Sequence, residues 1–176
     1  MMKEELLILV DENDNEVGVI DKWSAHTSGV LHRAFSVFVF NSKGELLLQQ
    51  RADEKYHSAG LWSNTCCSHP YKGEKILEAI NRRLQEEMGM SCETKFMFSF
   101  IYKANLENGL SEHEFDHVYF GTTDMQPTPE STEVKDWKYI SLQDLSMDVE
   151  KNPGAYSAWL KICLPDVIKH KNDDKI

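Results

Sequence analysis

The chain has 176 residues, 41% of them hydrophobic, which is the size of one domain with enough apolar side chains for a core. Its formal net charge of −10 argues against nucleic acid and anionic membranes as partners, because both attract basic surfaces. The apolar run at 6–10 is too short for a signal peptide, and no run approaches the roughly 18 residues of a membrane span. We therefore expect a single cytoplasmic domain over 1–176 with its four cysteines reduced.

Hydrophobic patterns predict strands along most of the chain. The strands are predicted at residues 6–10, 17–20, 35–40, 46–50, 96–104, 114–122 and 137–140. Those at 35–40 and 46–50 are expected to form a hairpin around Asn41-Ser42-Lys43-Gly44, followed by a polar loop over 52–64.

Three helices are predicted between and after these strands. The clearest spans 74–88, where apolar side chains recur on one face and Gly89 ends the helix. Ser141 is expected to cap a short second helix. The last helix is predicted over 156–170, kinked or interrupted by Pro165, with a fraying polar tail at 171–176. This mixture of strands and helices indicates a layered α+β or α/β domain.

Two adjacent cysteines precede a histidine in the segment NTCCSHP, residues 64–70. If this segment is extended, its side chains alternate, so Cys67 and His69 share a face and Cys66 points the other way. We interpret Cys66 as a small buried apolar residue. Cys67 is the better candidate for chemistry, because packing does not explain the imidazole beside it.

Two carboxylates, Glu112 and Glu114, lie on one face of a predicted strand. Such a pair can clamp a divalent cation, although the pattern alone is more typical of a solvated edge strand. Three imidazoles would complete a five-ligand site for Mn, Fe, Zn or Mg. They belong to His26, His32 and His69. Spacing alone leaves open whether these distant residues converge.

Basic and aromatic residues supply further candidates. Arg83 and Glu87 stand at i and i+4, which suits a surface ion pair of about 0.3–0.5 kcal/mol. The functional alternative is that Glu87 binds Mg²⁺ while Arg83 holds a phosphate oxygen. Other members of an anion pocket would be Lys22, Arg51 and Lys55. Tyr102 and Trp159 are explained first by core packing, although a π face can also hold a transient cation.

The predicted helix over 74–88 resembles the Nudix box, Gly-x5-Glu-x7-Arg-Glu-U-x-Glu-Glu-x-Gly-U, where U is a bulky aliphatic residue. The matching positions are Ser68, Glu74, Arg82, Arg83, Leu84, Glu86, Glu87, Gly89 and Met90. Ser68 replaces the first Gly and Arg83 replaces a Glu. That Glu is a metal ligand in Nudix pyrophosphohydrolases, so Arg83 argues against hydrolysis.

Both departures are similar to those of the type I isopentenyl-diphosphate isomerases, a Nudix-related family. The resemblance runs from about Leu6 to Trp159. Its markers are AHT (25–27), LHRAFS (31–36), LLQQRA (47–52), WSNTCCSHP (62–70), EHE (112–114) and YSAW (156–159). The chain departs locally, since Ser58-Ala59-Gly60 stands where the family often has Phe-Pro-Gly.

The resemblance implies an α/β/α layered Nudix-like fold with mixed sheets. It also implies isomerisation of isopentenyl diphosphate to dimethylallyl diphosphate through a tertiary carbocation, for isoprenoid precursor biosynthesis. A first divalent metal, Mn²⁺ or Zn²⁺, would be bound by His26, His32, His69, Glu112 and Glu114. Glu87 and the Cys67 carbonyl would bind Mg²⁺ that also meets the diphosphate, and the diphosphate would be held by Lys22, Arg51, Lys55 and Arg83. Cys67 and Glu114 would be the catalytic pair, with Tyr102 assisting and Trp159 facing the cationic carbon.

Two other functions are compatible with the residues. One is a Nudix pyrophosphohydrolase acting on a nucleoside or other diphosphate. The other is a non-enzymatic module with structural zinc at Cys67, His69 and Glu114, although closed structural sites usually use four ligands, mainly Cys and His. Nothing in the sequence indicates a large apolar interface, so we expect a monomer or a weak homodimer.

Overall fold

Strands and helices alternate through the described part of the chain, residues 5–174 of a computed structural model. The strands are β1 (Leu6–Val10), β2 (Glu16–Asp21), β3 (His32–Phe40), β4 (Leu46–Arg51), β5 (Trp62–Ser63), β6 (Cys66–Ser68), β7 (Thr94–Asn105), β8 (Ser111–Thr122) and β9 (Val134–Ile140). The helices are α1 (Lys22–Ser28), α2 (Ile76–Met88), α3 (Leu142–Lys151) and α4 (Ala158–Asp173). Within 5–174, no helix combines the length and the apolar character needed to cross a bilayer.

Strand β3 is the centre of the nine-stranded mixed sheet. It runs parallel to β8, from His32 opposite Glu114 to Phe40 opposite Thr122, and antiparallel to the short strand β6. It touches β1 and β4 only at its two ends. The parallel pairing brings residues near position 32 beside residues near position 114, which is the placement the site depends on.

Side chains of β3 alternate between two cores, because successive residues of a strand point to opposite faces. Phe35, Val37 and Val39 pack in a core that includes α2. Phe38 and Phe40 pack in a second core that includes α3 and α4. All five are fully buried, and each such side chain contributes about 1.5–3 kcal/mol of transfer free energy. The predicted layered α+β fold, with helices on both sides of a mixed sheet, is confirmed.

The predicted hairpin between β3 and β4 is wrong beyond its turn. These strands pair only at Phe40 and Leu46. Both long edges of β3 are already taken by β6 and β8, so β4 diverges and pairs along its whole length with β9. The sequence pattern identified the turn, but it could not identify the partner of each strand.

The last helix spans Ala158–Asp173 rather than the predicted 156–170. Helix α4 continues through Pro165, so the predicted interruption there is wrong. Pro165 is exposed, whereas Leu164 and Val167 are buried in the second core. Burial of that face offsets the backbone hydrogen bond that proline removes. Lys171–Asp173 of the predicted tail lie in the helix, and the end of that tail, 175–176, lies outside the described residues.

Candidate metal centre and anion pocket

Helix α1 was not predicted, because its seven residues, KWSAHTS, carry no apolar repeat. It is defined by its ends: the Asp21 carboxylate accepts from the Ser24 N–H at 2.9 Å, and Gly29 adopts φ 66° after the last turn. The helix turns His26 inward, where it is fully buried. His26 Nδ1 donates to the Lys22 carbonyl at 2.6 Å, which leaves Nε2 as an unprotonated nitrogen facing Glu112 Oε2 at 3.1 Å.

The other two histidines meet the same point from different strands. His32 begins β3, and its Nδ1 donates to the Val30 carbonyl at 2.9 Å, so its Nε2 is also oriented inward. His69 follows β6, and its Nε2 lies 3.3 Å from His32 Nε2 and 2.9 Å from Glu114 Oε1. Such outer hydrogen bonds fix the ring tautomer in metal-binding histidines.

The carboxylates of β8 are buried, so the alternative of a solvated edge strand is wrong. Strand β8 lies between β3 and β7, and Glu112 and Glu114 are only 4% and 7% exposed. Asp116 continues the row and accepts from Ser36 Oγ at 2.7 Å. Alternation along β8 therefore directs three acids to one buried face.

The five predicted metal ligands converge, with one donor atom from each residue within 4.8 Å of the others. They are His26, His32, His69, Glu112 and Glu114. Three imidazole nitrogens and two carboxylates are a donor set for a divalent cation. The set fits because nitrogen lone pairs and carboxylate oxygens face one another at the centre. A cation between them would compensate both carboxylates. Cys67 is not in this group, which argues against the structural-zinc alternative.

The electrostatics of the cluster place only part of its ligands in the protonation states that bind a metal. Burial alone would lower the pKa of His32, but the neighbouring Glu114 raises it. Burial lowers the pKa of His69 to about 3 and also lowers the pKa of His26, so both rings are neutral at pH 7. Burial alone would raise the pKa of Glu114, but the imidazoles of His32 and His69 beside its Oε1 hold it below the ordinary value. Burial and the neighbouring Glu114 charge raise the pKa of Glu112.

The two adjacent cysteines face opposite sides of β6, as predicted. Cys67 is half-buried and lines a cavity together with His69, Glu87 and Glu114. Burial raises the pKa of the Cys67 thiol well above its ordinary value, so the sulfur carries its proton in this state. Cys66 is fully buried in the core that includes α2.

Replacing Cys66 by alanine is expected to affect stability more than activity, because its sulfur packs away from the cavity. Loss of one buried sulfur should cost about 1 kcal/mol, which corresponds to a decrease in Tm of about 2–4 °C. Thermal denaturation and turnover of purified Cys66→Ala would test this. A folded but inactive Cys66→Ala protein would contradict the assignment of the two faces.

Tyr102 and Trp159 both line the cavity and are nearly buried. The Tyr102 hydroxyl donates to Glu114 Oε2 at 2.7 Å, and burial raises its pKa, so it remains a donor. Trp159 Nε1 donates to Ser63 Oγ at 2.8 Å, which fixes the ring. The Arg51 guanidinium lies 5.2 Å from the centre of the Trp159 ring, so this π face already accepts a cation.

Four predicted cations line the same cavity: Lys22, Arg51, Lys55 and Arg83. Desolvation and the nearby charges of Lys55 and Arg83 lower the pKa of Lys22, as expected for cations crowded around one space. This local basic cluster provides an attraction for an anion in a chain of net charge −10.

Arg83 and Glu87 form a partly buried ion pair at 2.5 Å, so the surface-pair alternative is wrong. Glu87 is 6% exposed, and its other oxygen accepts from Gln49 Nε2 at 2.9 Å. Gly89 allows this end of α2 to pack closely, because a Cβ there would lie 2.3 Å from the Thr128 carbonyl oxygen.

Sequence reasoning missed three residues of the site. Gln49 follows the apolar run 46–48 of β4 and precedes Gln50, so the pattern does not mark it as different from its polar neighbour. Tyr56 and His57 lie in what was predicted to be a polar loop, where no periodicity marks them. His57 Nε2 lies 3.4 Å from Glu112 Oε1, and burial lowers its pKa to about 2. The backbone carbonyls of His57 and Ser58 accept from Arg51, which ties this loop to the anion pocket.

Comparisons with known proteins agree with this arrangement. The NUDIX domain family profile matches residues 30–160. Among solved structures, a Deinococcus radiodurans protein at 1.9 Å resolution is similar, with a TM-score of 0.74 and 20% identity over 92% of this chain and 98% of that chain. The MutT protein from Methanosarcina mazei Go1 has a TM-score of 0.65 and 17% identity, covering 83% and 96% of the two chains. These structures show the fold.

Sequence relatives are much closer. Isopentenyl-diphosphate Delta-isomerase 1 from Aromatoleum aromaticum is 54% identical over 172 residues, which is 98% of this chain and 97% of the relative. Isopentenyl-diphosphate Delta-isomerase from Pectobacterium atrosepticum is 51% identical over 156 residues, covering 89% and 87% of the two chains. The chain therefore belongs to the isopentenyl-diphosphate Delta-isomerase family and is built on a Nudix domain.

Proposed function

We propose that this protein isomerises isopentenyl diphosphate to dimethylallyl diphosphate, a step in the supply of isoprenoid precursors. The observation that carries the proposal is one cavity lined by a thiol, a buried carboxylate with its tyrosine donor, and four cations. The reaction adds a proton to a terminal alkene carbon and removes a proton from another carbon. It therefore needs an acid and a base beside the hydrocarbon chain in a pocket that excludes water, together with a separate binding site for the diphosphate.

Cys67 and Glu114 are the proposed acid–base pair. Their pKa values are displaced in opposite directions, so the thiol holds a proton while the carboxylate is ionised. Two groups in opposite protonation states are what a proton addition and a proton removal require. Tyr102 would orient Glu114 through its hydrogen bond, and Trp159 would offer its π face to the transient cation. Exclusion of water prevents trapping of that cation as an alcohol.

The five-ligand cluster is the proposed site of one divalent metal, Mn²⁺ or Zn²⁺. When bound, the metal would orient Glu114 and tune its acidity. Glu87 and the Cys67 carbonyl are the proposed ligands of Mg²⁺ carried with the diphosphate, which Lys22, Arg51, Lys55 and Arg83 would hold. Glu87 would have to exchange part of its contact with Arg83 for that ion. The diphosphate anchors the substrate and is not a leaving group. Its binding energy, applied away from the reacting carbons, can order those carbons.

Nudix pyrophosphohydrolysis is the weaker alternative. Arg83 stands where the hydrolases carry a metal-binding glutamate, and its guanidinium is occupied by Glu86 and Glu87. The site thus offers a cation where that reaction needs a ligand.

The first test is NMR of the purified protein with isopentenyl diphosphate, Mg²⁺ and Mn²⁺ in D₂O, following carbon and phosphorus signals together. We expect deuterated dimethylallyl diphosphate with its diphosphate intact. Release of phosphate would favour the hydrolase alternative. An unchanged spectrum from protein of verified metal content would contradict the isomerase proposal.

A further inference from the structure

Glu133 lies at the outer side of the anion pocket and contacts two of its cations. Its Oε2 is 2.6 Å from Lys55 Nζ and 3.5 Å from an Arg83 terminal nitrogen. The side chains of Lys55 and Arg83 are only 18% and 17% exposed. Cations this far removed from water need a partner when no ligand is present, because an unpaired desolvated charge is costly.

The backbone around Glu133 is fixed, whereas its side chain has a route to solvent. The Glu133 carbonyl accepts from the Ala52 N–H at 3.0 Å, and the Glu133 N–H donates to the Glu130 carbonyl at 3.0 Å. Glu130 in turn donates to the Glu87 carbonyl at the end of α2. The carboxylate lines a second, outer cavity that shares Lys55 and Arg83 with the first, and the side chain is 27% exposed. Rotation of the side chain alone can therefore release Lys55 and withdraw one of the three carboxylates around Arg83, which stays paired with Glu86 and Glu87.

Glu133 is ionised, so its carboxylate can occupy the place of a phosphate oxygen beside the two cations. Burial opposes ionisation, but the hydrogen bond from Lys55 and the charge of Arg83 hold the pKa of Glu133 below its ordinary value. An ionised carboxylate that touches both cations competes with any anion that needs the same N–H groups.

On the basis of the anion site of the proposed function, we propose that Glu133 is an internal competitor. It occupies Lys55 and Arg83 until a diphosphate displaces it. It compensates part of the charge of Lys55 and Arg83 without substrate, and it lowers the affinity for anions that cannot replace its contacts. Glu133 therefore sets the affinity of the pocket.

The test is calorimetric binding of inorganic pyrophosphate to the parent protein and to Glu133→Gln, both without Mg²⁺. Removal of the competing charge is expected to tighten binding on the order of fivefold, as for loss of a partly exposed ion pair. Asp53→Asn is the matched control, because Asp53 pairs at 2.9 Å with Lys135 on the exposed surface and lies two residues from Lys55. It should leave the affinity nearly unchanged.

Glu133→Ala is a second test, because in Glu133→Gln the glutamine amide could itself donate to phosphate and tighten binding. It should also tighten binding. Unchanged or weaker binding in Glu133→Gln would overturn the inference, since Glu133 would then be inert or would position the cations. An equal gain in Asp53→Asn would overturn it as well, because the effect would be a general one of net charge. Failure of the parent to bind pyrophosphate with or without Mg²⁺ would overturn the proposed anion site itself.

Discussion

Replacing Cys67 by alanine is expected to lower kcat for isopentenyl diphosphate by about 10³-fold, because a positioned proton-transfer group typically contributes about 10²–10⁴-fold. The thiol lines the cavity with Glu114 and holds its proton in the free protein. Alanine removes that proton and leaves the backbone carbonyl in place. Steady-state kinetics, with the circular dichroism spectrum as a check on folding, would measure the effect.

The adjacent thiol provides the control for this prediction. Cys66→Ala removes the same atoms one residue away, but from the core face of β6. The two variants should therefore differ greatly in kcat. Turnover near that of the parent in a well-folded Cys67→Ala protein would exclude Cys67 from the acid–base pair.

Glu114→Gln is expected to lose both bound metal and activity. The Glu114 carboxylate accepts a hydrogen bond from the Tyr102 hydroxyl, and its Oε1 lies 2.9 Å from His69 Nε2. Glu114 therefore joins the metal cluster to the cavity. Changes in outer-shell partners of metal sites typically cost about 10–100-fold in affinity, so loss of a ligand should cost at least about tenfold. Elemental analysis after dialysis would measure the metal, and kcat would fall further because the proposed base is absent.

Asp116→Asn is the matched control for Glu114→Gln. Asp116 is buried on the same face of β8, two residues away, but it is not among the five converging ligands. Metal content should be retained in Asp116→Asn. Full metal content in Glu114→Gln would contradict the cluster assignment, whereas lost metal with full activity would separate the cluster from catalysis.

Much of the site could be predicted because its chemistry depends on local alternation. The extended segment around Cys67 fixed which cysteine faces the cavity, and the two-residue spacing of Glu112 and Glu114 fixed their common face. The convergence of His32 with these residues could not be derived from spacing, because it depends on the parallel pairing of β3 with β8. The family resemblance supplied the grouping that the local pattern lacked.

The parts that escaped prediction have physical reasons. Helix α1 depends on its capping residues rather than on an apolar repeat, so hydrophobic periodicity does not detect it. His57 is held by Arg51 and by packing against Tyr56 and Trp159, and hydrophobic periodicity detects none of these contacts. Pro165 is tolerated because the opposite face of α4 is buried. For Pro165, contacts with distant residues outweigh a local preference.

The placement of the five-ligand cluster has a consequence for how the protein matures. His26 and Glu112 are 86 residues apart in sequence, and they meet only after β8 has docked beside β3. Parallel pairings of this kind form slowly, because a long chain segment must be closed before any contact stabilises it. The nascent chain therefore cannot assemble all five ligands until its second half has folded onto its first. Binding of the proposed metal by all five residues would thus follow the docking of β8.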